Sequence, residues 1–118
     1  MRRLLPALLA VSFGGTAPAA AIAPPARVQV AATEFNFALS RASIKSGRAL
    51  VELANYGEDP HDLRMLRVGG TRVYRLGVVA PGASNVLSAK LLPGTFRLWC
   101  SIADHRARGM HATLRVRR

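Results

Sequence analysis

Turn-forming residues interrupt this chain so often that a long helix has nowhere to form. Ser46-Gly47, the Asn-, Gly- and Pro-rich segment 55–60, Gly69-Gly70, Ala80-Pro81-Gly82 and Leu92-Pro93-Gly94 divide it into short pieces. Between them, apolar and polar residues alternate with period two, as strands with one buried face require. Residues 95–100 show this most plainly: Phe96, Leu98 and Cys100 fall on one side, Arg97 and Trp99 on the other. The same reading gives strands over 27–32, 49–54, 62–68, 71–79, 83–89 and 112–117, with 35–37 continuing the β-rich composition. Seven or eight short strands with turns between them predict an all-β domain, a sandwich or a barrel. Ten Gly and seven Pro in 118 residues fit that class better than a helical bundle. A single helical turn within 66–76 or 101–108 is compatible with the pattern.

The N-terminus reads differently. Met1-Arg2-Arg3 is basic, residues 4–13 are mostly apolar, and Gly14, Gly15 and Thr16 break the run. Ala17-Pro18-Ala19 and Ala19-Ala20-Ala21 each present a small-x-small cleavage site. These are the parts of a secretory signal peptide, expected to span 1–21 and to leave one domain at 22–118. The apolar run falls short of the roughly 20 residues a membrane-spanning helix needs. The expected location is therefore periplasmic or secreted.

One cysteine excludes an internal disulfide, an all-cysteine zinc site and an iron–sulfur cluster held by this chain alone. Three histidines leave too few donors for most multinuclear metal centres. A lone thiol in an exported protein points to a dimer bridge, a reactive group or a metal ligand. Its neighbours favour the metal. Cys100, His105 and Met110 follow the spacing Cys-x4-His-x4-Met, and His61 sits just after the 55–60 loop. A thiolate, two imidazoles and a thioether suit copper: a His2Cys plane with a weak axial Met is the electron-transfer arrangement. Two adjacent strands joined by a tight loop can bring three of these residues to one pole, with His61 expected to close the site from the neighbouring sheet. Taken singly, each residue has an ordinary explanation: a strand-ending Cys or a Met fills the core, and a His sits at the surface. Order and spacing together carry the metal assignment. By the same weighing, Met65, Phe96 and Trp99 read as packing residues, Tyr56 as a turn residue or a cover for the site, and His111 as a surface residue.

The stretch Pro93-Gly94-Thr95-Phe96-Arg97-Leu98-Trp99-Cys100, followed by Ser101, His105, Gly109-Met110 and Leu114-Arg115-Val116, resembles the C-terminal copper loop of the cupredoxins. Asn55-x-Gly57-x-x-Pro60-His61 resembles the segment carrying that family's first histidine ligand. The resemblance covers roughly 27–118. It implies a Greek-key β-sandwich, one copper ion cycling between Cu(I) and Cu(II), and one-electron transfer. By position His61, Cys100, His105 and Met110 match the four ligands, and Ser101 matches the small hydroxyl residue after the cysteine. At 62, where many members have Asn bonding near the cysteine sulfur, this chain has Asp62, whose carboxylate lacks the N–H that makes that bond.

The expected function is a small exported carrier of single electrons between redox proteins, acting as a monomer and not as an enzyme. His105 is expected to be the electron port. A protein that stores or delivers copper is the alternative, and a metal-free adhesive sandwich is a more distant one. Copper oxidases need a further histidine-rich copper site, and only His111 is left over. The formal charge of +11 suggests an acidic redox partner or an anionic membrane surface, with Arg106 and Arg108 inside the copper loop as the docking patch. No motif for nucleic acid is present.

Overall fold

Alternation along each strand decides which side chains meet in the middle of this protein. In the computed structural model, which describes residues 1–17 and 21–118, nine strands form. They are β1 (Ala26–Thr33), β2 (Asn36–Leu39), β3 (Ser43–Lys45), β4 (Gly47–Asn55), β5 (His61–Arg67), β6 (Val73–Val79), β7 (Ser84–Leu91), β8 (Gly94–Trp99) and β9 (His111–Arg117). Val28, Val30 and Ala32 of β1 and Val51 and Leu53 of β4 point inward from one sheet. Leu63 and Met65 of β5, Phe96 and Leu98 of β8, and Leu114 and Val116 of β9 meet them from the other. Met65 and Phe96 are thus core residues, as expected, whereas Trp99 is half-buried on the outer side.

The sheets have the orders β2-β1-β4-β7 and β3-β9-β8-β5-β6. The chain crosses between them repeatedly: β3 leaves the first sheet, β4 returns, the β5–β6 pair lies in the second, β7 returns, and β8–β9 closes the second. The all-β sandwich is therefore as expected, with nine strands rather than seven or eight. The additional one is β3, three residues that pair in parallel with β9 through Ile44 and Val116. No helix forms among the described residues. The 101–108 segment makes hydrogen-bonded turns, His105 N–H to Ile102 O at 3.0 Å and Arg108 N–H to Asp104 O at 3.1 Å, and the 66–76 segment turns through Gly69-Gly70.

Strand direction sets where the chemistry lies. β5 and β9 both run antiparallel to β8, so the start of β5, the end of β8 and the start of β9 share one end of the sheet. His61 lies in the same sheet as Cys100, next to β8, and not in the opposite sheet. The alternation pattern fixes faces but not strand order, which is why the sheet was misassigned. Every strand lies within 26–117, and residues 1–17 are exposed outside the sandwich. Both candidate cleavage tripeptides include residues of 18–20, outside the described residues. No helix among the described residues is long and apolar enough to cross a membrane.

Leu53 of β4 is fully buried in the core, whereas Leu92 is exposed. Leu53→Ala should lower unfolding free energy by about 2–5 kcal/mol in urea titration, because it leaves a cavity. Leu92→Ala should change it by less than about 0.5 kcal/mol. Equal losses would mean that the sandwich core is elsewhere.

Candidate metal centre

Two tight segments, each held by hydrogen bonds, bring the candidate ligand residues to one end of the sandwich. The first is the β4–β5 loop. Asn55 is buried, and its Nδ2 donates to the carbonyls of Asp59 at 2.8 Å and Val79 at 2.9 Å, while its Oδ1 accepts from Gly57 N–H at 2.9 Å. One side chain therefore folds the loop back and delivers His61 to the end of the sheet. The second segment is the β8–β9 loop. Cys100 N–H bonds to Met110 O, and Met110 N–H to His105 O, each at 3.1 Å. Gly109, at φ +125°, makes the last bend; a Cβ there would approach Phe35 O to 3.0 Å.

One ligand atom from each of His61, Cys100 and His105 lies within 4.8 Å of the others, and all three residues are buried. Cys100 Sγ stands 3.6 Å from His105 Nδ1, and the two imidazole rings meet edge-on at 5.1 Å. A nitrogen and a sulfur sharing one ion at ordinary bond lengths stand about 3.5 Å apart, so this spacing suits joint ligation. Met110 is fully buried beside them in sequence and in the hydrogen-bond network. His105 is 8% exposed and His61 0%, so His105 lies nearer solvent. His111 points outward and is exposed, and Tyr56 is 65% exposed, a turn residue rather than a cover.

His61 shows how the centre is prepared for a cation. Its Nε2 lies 3.0 Å from Glu34 Oε1. The same oxygen accepts from Glu58 N–H at 2.9 Å and Asp59 N–H at 2.8 Å. These main-chain donors, with His61, hold the Glu34 carboxyl down to about 2, so it is ionised and can only accept. Nε2 of a neutral His61 must then carry the proton, leaving a lone pair on Nδ1. That Nδ1 is buried and has no hydrogen-bond partner among the described residues. A buried, unpaired acceptor is costly, and here it belongs to one of the three clustered residues that could hold a metal ion.

Burial pushes the Cys100 thiol above its ordinary value, while the main-chain N–H groups of Asp62 and Ile102 pull it back and the Asp62 charge opposes them. Asp62 is nearly buried; its carboxylate accepts from Ser101 N–H at 2.6 Å and from the Ser101 hydroxyl, and Arg64 lies 3.4 Å away. The carboxylate thus binds the residue after the cysteine, and position 62 serves the sulfur through its main chain.

Glu34 and Phe35, in the β1–β2 turn, had no local signal in the sequence. The Phe35 ring lies 4.9 Å from the His105 ring, and the Arg108 guanidinium lies over Phe35 at 4.8 Å. A Cβ at Gly57 would collide with the Glu34 carboxylate, so a side chain there would push aside the group that bonds His61. The Asn55–Gly57 spacing was visible in the sequence, but not what the glycine makes room for.

No protein-family model matches the chain, and no curated protein does. Solved structures do. Reduced auracyanin from the photosynthetic bacterium Roseiflexus castenholzii aligns with a TM-score of 0.63 at 17% identity, over 78% of this chain and 97% of that one. Auracyanin A, a "blue" copper protein from Chloroflexus aurantiacus, gives 0.64 at 10% identity, over 79% and 99%. A multicopper oxidase gives 0.55 at 19% identity, over 76% of this chain and 41% of the oxidase. The sandwich is the cupredoxin fold.

Removing the Glu34 carboxylate should loosen His61 and weaken metal binding. Glu34→Ala should lower Cu(II) affinity by roughly 10–100-fold in a competition titration, as loss of a ligand's supporting hydrogen bond does elsewhere. Unchanged affinity would show that His61 needs no such support.

Proposed function

We propose that this chain carries single electrons through one copper ion that His61, Cys100 and His105 would hold, with the Met110 thioether as a fourth, weaker donor. The observation that carries the reading is the buried cluster of two imidazoles and a thiol in which His61 Nδ1 lacks a partner among the described residues. Copper so bound supplies a Cu(I)/Cu(II) couple. The protein's part is to keep the ligands in place between oxidation states. The hydrogen bonds at Asn55, Glu34 and Asp62 support such rigidity, and a soft sulfur donor with imidazoles favours copper over harder cations.

Burial of all three ligand residues favours retention of the ion over its delivery to another protein, because an acceptor would have to reach past Phe35 to take it. The reading is of a carrier and not an enzyme. With His61 and His105 used, three histidines leave only His111 for any further copper site. Small exposure makes His105 the natural edge for electron exchange. The basic leader at 1–21 supports export to a periplasmic or external compartment, where the carrier would work as a monomer between redox proteins. A docking role for the copper-loop arginines finds less support at Arg108, which bonds Asp104 Oδ2 at 2.8 Å and covers Phe35.

Loading with Cu(II) tests the reading. The loaded protein should be intensely coloured by thiolate-to-copper charge transfer, with a small copper hyperfine splitting. Cys100→Ser should abolish the colour while the far-ultraviolet circular dichroism stays as it was. A visible band that survives this substitution would refute thiolate ligation. Copper uptake should also release about one proton per ion near pH 7, because burial keeps the Cys100 thiol protonated until metal displaces its proton. A pH-stat titration with no release at Cys100 would contradict this.

Met110 is tested through the potential. Met110→Leu keeps an apolar side chain of similar size, so it should cost less than about 1.5 kcal/mol of stability. It should raise the reduction potential, whereas Met110→Gln, which offers a harder oxygen donor, should lower it. Both variants should stay coloured and release Cu(I) slowly to a chelator. Three identical potentials would remove Met110 from the ligand set, and rapid Cu(I) loss from the Leu variant would favour the delivery function.

A further inference from the structure

The outer face of the five-stranded sheet carries charge that the metal centre does not use. Register places Arg75 opposite Arg64, and Arg64 opposite Trp99. One row along, Arg97 faces Thr113; beyond it Arg115 faces Ser43, and Arg117 faces Lys45. Side chains directly opposite on one face stand roughly 4.5–5.5 Å apart at Cβ, and like charges so placed are destabilising. Arg64 lies near Asp62 at 3.4 Å. Among the described residues the other five cations of this face form no ion pair, and all five are exposed. The strands of this sheet contain one acid, Asp62, and it is buried. The opposite sheet differs: its outer cations Arg27, Arg48 and Lys90 share their face with Glu52. Both outer faces are therefore positive, and the excess is larger on this one, with six cations here against three there.

The same face is concave. A groove of about 720 Å³ runs between the sheet and the turn after Cys100, lined by Thr95, Arg97, His111 and Thr113 on one side and by Asp104 and Arg106 on the other. The Arg106 guanidinium is stacked over the Trp99 ring at 4.5 Å. The Asp104 carboxylate is engaged by Arg108. Guanidinium groups bind carboxylates as a planar fork, and all but one of the cations on this face are arginine.

We infer that this face is the docking surface for a partner protein that presents a carboxylate-rich patch. Complementary charge supplies the attraction, and the groove with its threonine hydroxyls accepts protruding Asp or Glu side chains. An anionic bilayer fits less well: among the described residues Val68 is the one exposed large apolar residue lining the groove, which offers little apolar surface to lipid. That the occupant is a protein rests on the electron-transfer reading, which requires macromolecular partners; the cationic face itself does not.

The test reads binding without electron transfer, so it stands apart from any failure of the copper assignment. An oligoglutamate peptide is titrated into the isotope-labelled protein with no metal added, and amide shifts are mapped. Shifts should cluster at Arg64, Arg75, Arg97, Thr113 and Arg115. Arg97→Glu combined with Arg115→Glu should weaken peptide binding by about tenfold or more, and Arg27→Glu with Arg48→Glu, an equal charge change on the other sheet, by less than about threefold. Equal losses in the two double variants, or shifts spread over both sheets, would reduce the face to part of a general positive field and overturn the proposal. Stronger binding to phosphatidylglycerol vesicles than to the peptide, lost in the same face variant, would make a membrane the occupant and overturn it as well.

Discussion

The hydrogen bond between Cys100 N–H and Met110 O governs the architecture of the functional end. It extends the β8–β9 pairing one step past the last residue of β8 and closes nine intervening residues into a fixed turn. Without it, Cys100 and Met110 would be residues at two frayed strand ends. With it, they stay in register, and His105, whose carbonyl accepts from Met110 N–H, is drawn back over the sulfur. Loop closure of this kind costs chain entropy, which the packing of Phe96, Leu98 and Leu114 in the adjoining strands offsets.

The opposite sheet completes the site by a different device. The β1–β2 turn reaches across the end of the sandwich with Glu34 against His61 and Phe35 against His105. Glu34 receives two main-chain donors and the imidazole on a single oxygen, so one carboxylate fixes both the loop before His61 and the tautomer of its ring. Asp62 does the comparable work for the segment after Cys100 through Ser101. The candidate ligand residues are thus held in place by the fold's own hydrogen bonds, as the proposed copper couple would require if its two oxidation states are to share one geometry. The same rigidity ties function to stability: Asn55→Leu would leave the Val79 and Asp59 carbonyls without their donor and displace the loop that carries His61.

Much of this was readable from residue order. Period-two alternation gave the strand segments and, over 95–100, the side of β8 that packs inward, and the Cys-x4-His-x4-Met spacing with His61 picked out the donor cluster. Strand order was not readable, because alternation says which face is buried but not which strand lies beside which. His61 was therefore assigned to the wrong sheet, though to the right pole. β3 escaped notice because three residues are too few to show a period. Glu34 and Phe35 escaped for a related reason. Their roles arise from a turn 27 residues before His61 crossing to the other sheet, and nothing nearby in the sequence marks that contact. Asp62 shows the limit of reading one position against a family: its carboxylate was weighed as a failed amide donor, whereas it bonds Ser101 instead.

The central claim is that the Cys100 sulfur and the imidazoles of His61 and His105 bind one copper ion together. X-ray absorption at the copper edge of the loaded protein measures this directly. One short copper–sulfur distance with two imidazole nitrogens, in both oxidation states and with little change between them, is the expected result. A shell of nitrogen and oxygen only, or a marked rearrangement on reduction, would contradict the account.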